Sequence, residues 1–298
     1  RLAAATYGGD KGIFGYGGTS TEVSMTNLVN NSGVIATDTT GVGTVRQGIG
    51  AAAYGVDKAI FAFGTTPTTA ISNLVSNSGV VASDTSGVGT ARIGLGAATY
   101  GTDKAIYAYG TTGGGTNVSM SNLVSSSGVV ASDVTGVGTA RRYLAATNYG
   151  GTSTAIFAYG YTSSHVSLSN LVNSSGVIAS DVTGVGTVRE GLGAAGYGLD
   201  KAIFAYGSDN DDPYILSMSN LVTSSGVIGS DVSGVGTARN NLSASTYGGD
   251  KAIFGYGNTT TAVSMTNLVN SSGVIGSDVS GVGTDRYYQS SAEFSVSA

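Results

Sequence analysis

The apolar positions of this chain fall into short bursts that recur in a fixed order. A small-residue run such as LAAATYG, beginning at Leu2, comes first. An apolar run such as KAIFAYG, beginning at Lys201, comes second, followed by VSMSNLV from Val118 and GVVASDV from Gly128. Clusters of Gly, Asn and Ser separate the bursts, which is the pattern of short strands joined by turns. No stretch carries a helical period with caps, so essentially no helix is expected. The second burst lacks the apolar–polar alternation of a sheet wetted on one side. Ile203 and Ala205 are expected to point one way and Phe204 and Tyr206 the other, from a strand buried on both faces.

The bursts belong to a repeat. Asn27, Asn73, Asn122, Asn170, Asn220 and Asn267 stand at one position of six copies, 46 to 50 residues apart. The copies run over about 1–46, 47–92, 93–141, 142–189, 190–239 and 240–286, and a single domain is expected over 1–298. Four short strands per copy and this period match the blade of a β-propeller. GIFGYG in the first copy and AIFGYG in the sixth are as apolar as the inner copies. An open solenoid needs polar caps at its ends, so the fold expected is all-β, a closed ring of six four-stranded antiparallel blades. The Ala-rich first strand suits the crowded place nearest the axis. Two stretches compete for closure: Leu2 to Tyr7, and YYQSSAEFSVSA over 287–298, where Phe294 falls at the position of the repeat Tyr. That last stretch either closes the ring or leads out of it. The chain opens at Arg1 inside the repeat pattern, as a processed product or fragment would.

The element order VGTAR, LAAATYG, KAIFAYG, VSMSNLV resembles the Kelch repeat over the whole chain. The Kelch double glycine is present only at Gly17 and Gly18, and the Kelch Trp is missing because the chain has no Trp. GDKAIFGYG with GVGTAR is similar to the Kelch-like repeats of bacteriophage fibre and other virion surface proteins. That resemblance implies a place on the virion surface or outside the cell. The partners it implies are a host surface glycan or protein, or other virion proteins.

Composition narrows the chemistry. Charged residues make up 10% of the 298, and 49 are Gly, so solubility rests on Ser, Thr, Asn and backbone. With no Cys there is no disulfide, thiolate site or Cys nucleophile. No apolar run is long enough to span a bilayer and no signal peptide opens the chain, so membrane insertion is not expected. The net charge of -5 argues against nucleic acid. It arises from Glu22, Glu190, Asp209, Asp211, Asp212, Asp285 and Glu293 against Arg1 and Arg142, all outside the repeated positions.

The most constant element is D-x-[TS]-G-V-G-T-x-R. It spans Asp38 to Arg46, Asp84 to Arg92, Asp133 to Arg141, Asp181 to Arg189, Asp231 to Arg239 and Asp278 to Arg286. Six anion or sugar sites are one reading. An Asp–Arg pair that ties the fourth strand to the next blade is the favoured one. The segment is also similar to the Asp-box of six-bladed sialidases, with a different spacing and without the aromatic. The Asp–Lys steps at Asp10/Lys11, Asp57/Lys58, Asp103/Lys104, Asp200/Lys201 and Asp250/Lys251 read as solvated turns; the fourth copy has Ser153 and Thr154 instead. His165 is the only His, and SDNDDPY from Ser208 lacks the Gly and distal Glu of an EF-hand. No catalytic residue, metal or cofactor is expected.

The copies differ in two places: the loop between strands two and three, and the pair after the repeated Arg. In an antiparallel blade both lie on one face, while the turns of the other face stay nearly uniform. The residues expected to carry recognition are Glu22, Gln47, Arg142, Tyr143, Tyr161, His165, Glu190, Asn210, Asp211, Asp212, Tyr214 and Asn240. The function expected is a non-enzymatic binding or adhesion module. The alternatives are a glycan-active enzyme of sialidase type and a purely structural spacer.

Overall fold

The computed structural model describes residues 2–65, 67–210 and 214–287. Each copy contributes one three-stranded antiparallel sheet, and there is no helix among the described residues. In the first copy the strands are Ala3–Tyr7, Lys11–Gly15 and Thr26–Val29, with Ala5 opposite Ile13 and Ile13 opposite Leu28. The same register recurs from Gly50–Tyr54 in the second copy to Ser243–Tyr247 in the sixth. Neighbouring first strands pack side by side in chain order, and Ser243–Tyr247 packs against Ala3–Tyr7. The stretch 288–298, with Phe294, lies outside the described residues.

The core consists of six apolar clusters, each straddling two consecutive copies. The sixth joins Tyr247, Ile253 and Tyr256 to Leu2, Phe14 and Val29. Phe204 and Ala202 face the fourth copy, while Ile203 and Ala205 face the sixth, so the second strand is buried on both sides as its composition requires. Tyr206 departs from expectation. It packs with Ile203 and Ala205, not with Phe204. The reason is its backbone: Tyr206 has φ 66°, and its five equivalents, Tyr16, Phe63, Tyr109, Tyr159 and Tyr256, lie between 61° and 65°. Left-handed backbone at the end of the strand swings the ring to the other face, at a cost of roughly 1 kcal/mol for a non-Gly residue. Each swung ring meets the second-strand aromatic of the next copy, as Tyr206 meets Phe254 with centroids 5.5 Å apart. The series ends with Tyr256 on Phe14 at 5.2 Å. A glycine must follow: a Cβ at Gly64, φ 114°, would stand 2.5 Å from Ile49.

Under each swung ring lies a buried arginine. Arg46, Arg92, Arg141, Arg189, Arg239 and Arg286 have no exposed surface. Their guanidinium carbons sit 4.3–4.7 Å from the ring centroids of Tyr16, Phe63, Tyr109, Tyr159, Tyr206 and Tyr256. Each donates from Nη2 to the third-strand Asn of the following copy, as Arg141 does to Asn170 Oδ1 at 2.7 Å. Arg286 does the same to Asn27 of the first copy. Burial lowers the guanidinium pKa values, that of Arg92 to about 10.

The fourth segment is not the continuous strand expected. It touches the third strand at two isolated bridges, Val29 to Ile35 and Thr26 to Thr39, and every copy repeats the pair. Two residues, Asn27 and Leu28, lie between the bridges on the third strand, and three, Ala36 to Asp38, on the fourth. That one-residue excess is a β-bulge. The Asn27 side chain fills the gap, donating to Ala36 O at 3.1 Å and to Asp38 Oδ1 at 2.8 Å. The bulge also turns the Asp toward the preceding copy. Thr44 donates to Asp84 through its hydroxyl at 2.6 Å and its N–H at 3.1 Å. Thr284 closes the series onto Asp38. The repeated motif therefore works between copies: its Arg and Thr meet the Asp of the following motif. The Arg–Asp distances, 3.6 Å for Arg46 and Asp84, are looser than those to Asn.

Asn170→Ala is expected to cost about 2–3 kcal/mol by leaving the Arg141 guanidinium short of its buried acceptor. Tyr109→Phe should cost less than about 1 kcal/mol, because Phe63 already lacks the hydroxyl that Tyr109 donates to Val137 O. Denaturant titration separates the two. The six aspartates set the acid limit. Partial burial raises their pKa values, but the Thr and Asn hydrogen bonds and the Arg charge outweigh it and leave each lowered. A lowered carboxylate contributes stability above its unfolded pKa of about 3.9 and loses it as pH falls through the folded value. Thermal melts should hold level down to about pH 4 and decline below it.

Candidate functional site

Strand direction divides the molecule into two faces. On the first, the strand-two-to-three loops meet the junctions between copies: Gln47 bridges Thr65, Arg142 bridges Tyr161, Glu190 bridges Ser208 and Asn240 bridges Asn258. On the second lie the hairpin after the first strand and the turn after the third, joined in the first two copies by Asn31 Nδ2 donating to Asp10 Oδ2 and Asn77 Nδ2 to Asp57 Oδ2, each at 3.1 Å. The second face is nearly uniform from copy to copy. Val34, Val80, Val129, Val177, Val227 and Val274 follow the turn in all six copies and are 60–65% exposed. The Asp–Lys steps form exposed ion pairs of 2.9–3.3 Å in four copies. In the fourth copy Ser153 and Thr154 instead donate to backbone carbonyls.

The six first strands together line an open cavity of about 120 Å³, with Leu2, Ala4 and Thr6 and their equivalents at its wall. Around its mouth on the variable face runs a chain of backbone hydrogen bonds. Gly94 N–H donates to Gly48 O, Tyr143 to Gly94, Gly191 to Tyr143 and Asn241 to Gly191, at 2.7–3.0 Å. All five residues are left-handed, with φ from 53° to 68°. At the non-glycine Tyr143 the side chain lies over Gly94, where a Cβ would stand 2.7 Å from the ring.

The residues that vary among copies interlock across the junctions. Gln47 Nε2 donates to Glu22 Oε1 at 3.0 Å, and Asn240 Nδ2 to Ser208 Oγ at 3.2 Å. Arg142 Nη1 reaches Asn117 Oδ1 at 3.5 Å. Its guanidinium lies over both Tyr161 and Tyr143, 5.0 and 5.3 Å from the centroids. Asn117 Nδ2 donates to Thr162 O at 3.0 Å, fixing the loop that carries Tyr161. His165 packs edge-on against Tyr161, centroids 5.4 Å apart, and its Nε2 stands 4.0 Å from Glu190 Oε1.

The sequence placed these residues on one face, and the structure grades them by access. Gln47, His165 and Asn240 are buried, each 7% exposed. Glu22, Arg142, Tyr143, Tyr161 and Glu190 are partly exposed, and Asn210 and Tyr214 are open to solvent. Asp211 and Asp212 lie outside the described residues. The loop from Ser208 is pinned at its base, where Asp209 N–H donates to Tyr214 O at 3.1 Å. Sequence reading missed Asn117 and Ser208 as partners. Their signal is positional, since each lies in the loop of the copy before the junction it contacts. A search against models of known protein families gives no match, and no curated protein matches the sequence.

A double-mutant cycle tests the interlock. Arg142→Ala and Asn117→Ala should couple by about 0.5–1 kcal/mol in stability, whereas Arg142→Ala and Tyr214→Ala should be additive.

Proposed function

We propose that the chain is a closed six-bladed β-propeller with Kelch-like element order, its outer fourth strand broken by the bulge. In this reading it is a non-enzymatic binding module of a virion fibre or appendage. It recognises a glycan or protein of the host surface through the variable face. The observation that carries the reading is the interlocked cluster of Arg142, Tyr143, Tyr161, His165 and Glu190. It spans the junctions of copies three to five and leaves aromatic and guanidinium surface partly exposed. Arginine and tyrosine held rigidly before a ligand arrives lose little side-chain entropy on binding, and they are the residues most often found at binding hot spots. Tyr214, 53% exposed beside the same face, extends that surface toward the fifth copy. The cyclic contact of six sheets supports closure, because the sixth cluster buries apolar residues of the first and last copies together.

The test is the triple variant Arg142→Ala, Tyr161→Ala and Tyr214→Ala, assayed on a glycan array and on immobilised cell-envelope preparations. Binding should fall by at least about tenfold, with the repeat core still cooperatively folded. The control Lys58→Ala with Lys104→Ala, on the uniform face, should bind as the parent does. Loss of binding in the control with retention in the triple variant would assign recognition to the wrong face. A blank wild-type protein that nonetheless assembles into a larger particle would make it a spacer.

A further inference from the structure

Among the described residues, the eight most exposed aliphatic side chains all lie on the uniform face. Six are the valines that follow the turn in each copy. The other two are Val56 and Leu199, 74% and 72% exposed, at the tips of the hairpins of copies two and five. Both tips are left-handed, with φ 73° at each. Copies one and six place Gly9 and Gly249 there, which adopt that backbone freely. A β-branched Val in that region is strained, and both side chains also stand in water. An apolar set of this extent on one face marks an interaction surface.

The pattern also selects the occupant. The valines repeat six times around the cavity, so a partner that covers them all alike carries the same repeat. The charge on this face is balanced: Asp10, Asp57, Asp103, Asp200 and Asp250 accompany Lys11, Lys58, Lys104, Lys201 and Lys251. Two such faces can meet without net repulsion, and acid and base can pair across the contact. The variable face, which carries Glu22, Glu190 and Asp209 against Arg142 as its unrepeated charges, would repel a copy of itself. Copies two and five lie three apart in the cycle, on opposite sides of the cavity. A two-fold axis along or across that diameter brings Val56 and Leu199 of one chain onto the same two residues of the other, the self-complementary contact of a symmetric dimer.

We propose that two copies of this chain associate back to back through the uniform face, leaving both variable faces outward. Sedimentation of the full chain across a micromolar concentration range should give a dimer. Val56→Gly with Leu199→Gly should raise the melting temperature, by relieving left-handed strain, while weakening the dimer on the order of tenfold. Val→Asp at the six turn valines should give a monomer with an unchanged far-ultraviolet circular dichroism spectrum. If that variant does not fold, the double glycine variant carries the test alone. A wild-type chain that sediments as a monomer throughout overturns the proposal. So does a dimer that the glycine variant leaves intact, or one lost instead on Arg142→Ala.

Discussion

A guanidinium held without solvent between two copies is the interaction on which the rest of this structure depends. A buried cation is tolerated only when charge-assisted hydrogen bonds and an aromatic face replace its water. Arg141 gains both, from Asn170 of the next copy and the Tyr109 ring of its own side of the junction. Each neighbour is in turn constrained. The ring must be swung over by a left-handed residue, so a glycine must follow it. The Asn must sit where its amide also reaches the fourth segment, so that segment bulges. The bulge delivers the Asp to the Thr of the preceding copy. One buried charge therefore accounts for the uniformity of the aromatic–Gly step, the Asn of the third strand and the D-x-[TS]-G-V-G-T-x-R element.

The same constraint explains where the chain is free to vary. The residue after each repeated Arg leaves the buried site and emerges at the mouth of the cavity, where no guanidinium dictates it. Gln47, Arg142, Glu190 and Asn240 occupy that position, and each is matched by a side chain from the loop of the copy before. Variation on this face is thus paired, and the pairing gives a surface with fixed geometry. The opposite face varies little in its turns; Thr102, Ser153 and Thr154 keep it polar where they depart from the pattern, while Val56 and Leu199 add apolar exposure where glycine would relieve strain.

Stability and surface chemistry are separated along each copy. The apolar clusters and buried arginines lie between sheets, where every copy is alike, while the loops at the two ends of the strands carry the distinguishing residues. Tyr143 shows how narrow the boundary is. Its backbone belongs to the uniform hydrogen-bonded collar, and its side chain belongs to the variable cluster under Arg142.

The sequence alone determined the six copies, the first three of the four strands expected in each, and the doubly buried second strand. These follow from local periodicity: a run apolar at every position has to be covered on both sides, and a turn of Gly, Asn and Ser reverses the chain wherever it stands. It also marked the repeated Asp and Arg as structural partners. Only the tertiary structure decided which Asp meets which Arg, because the two that meet belong to different copies. The side of Tyr206 was hidden because strand alternation fails at a left-handed residue, and a Tyr before Gly does not announce that backbone. The broken fourth strand was hidden because a bulge is a difference in count between two paired segments, visible only once both are aligned. The burial of His165, Gln47 and Asn240 was hidden for the same reason: each is covered by a neighbouring copy, and the contact depends on how the copies pack.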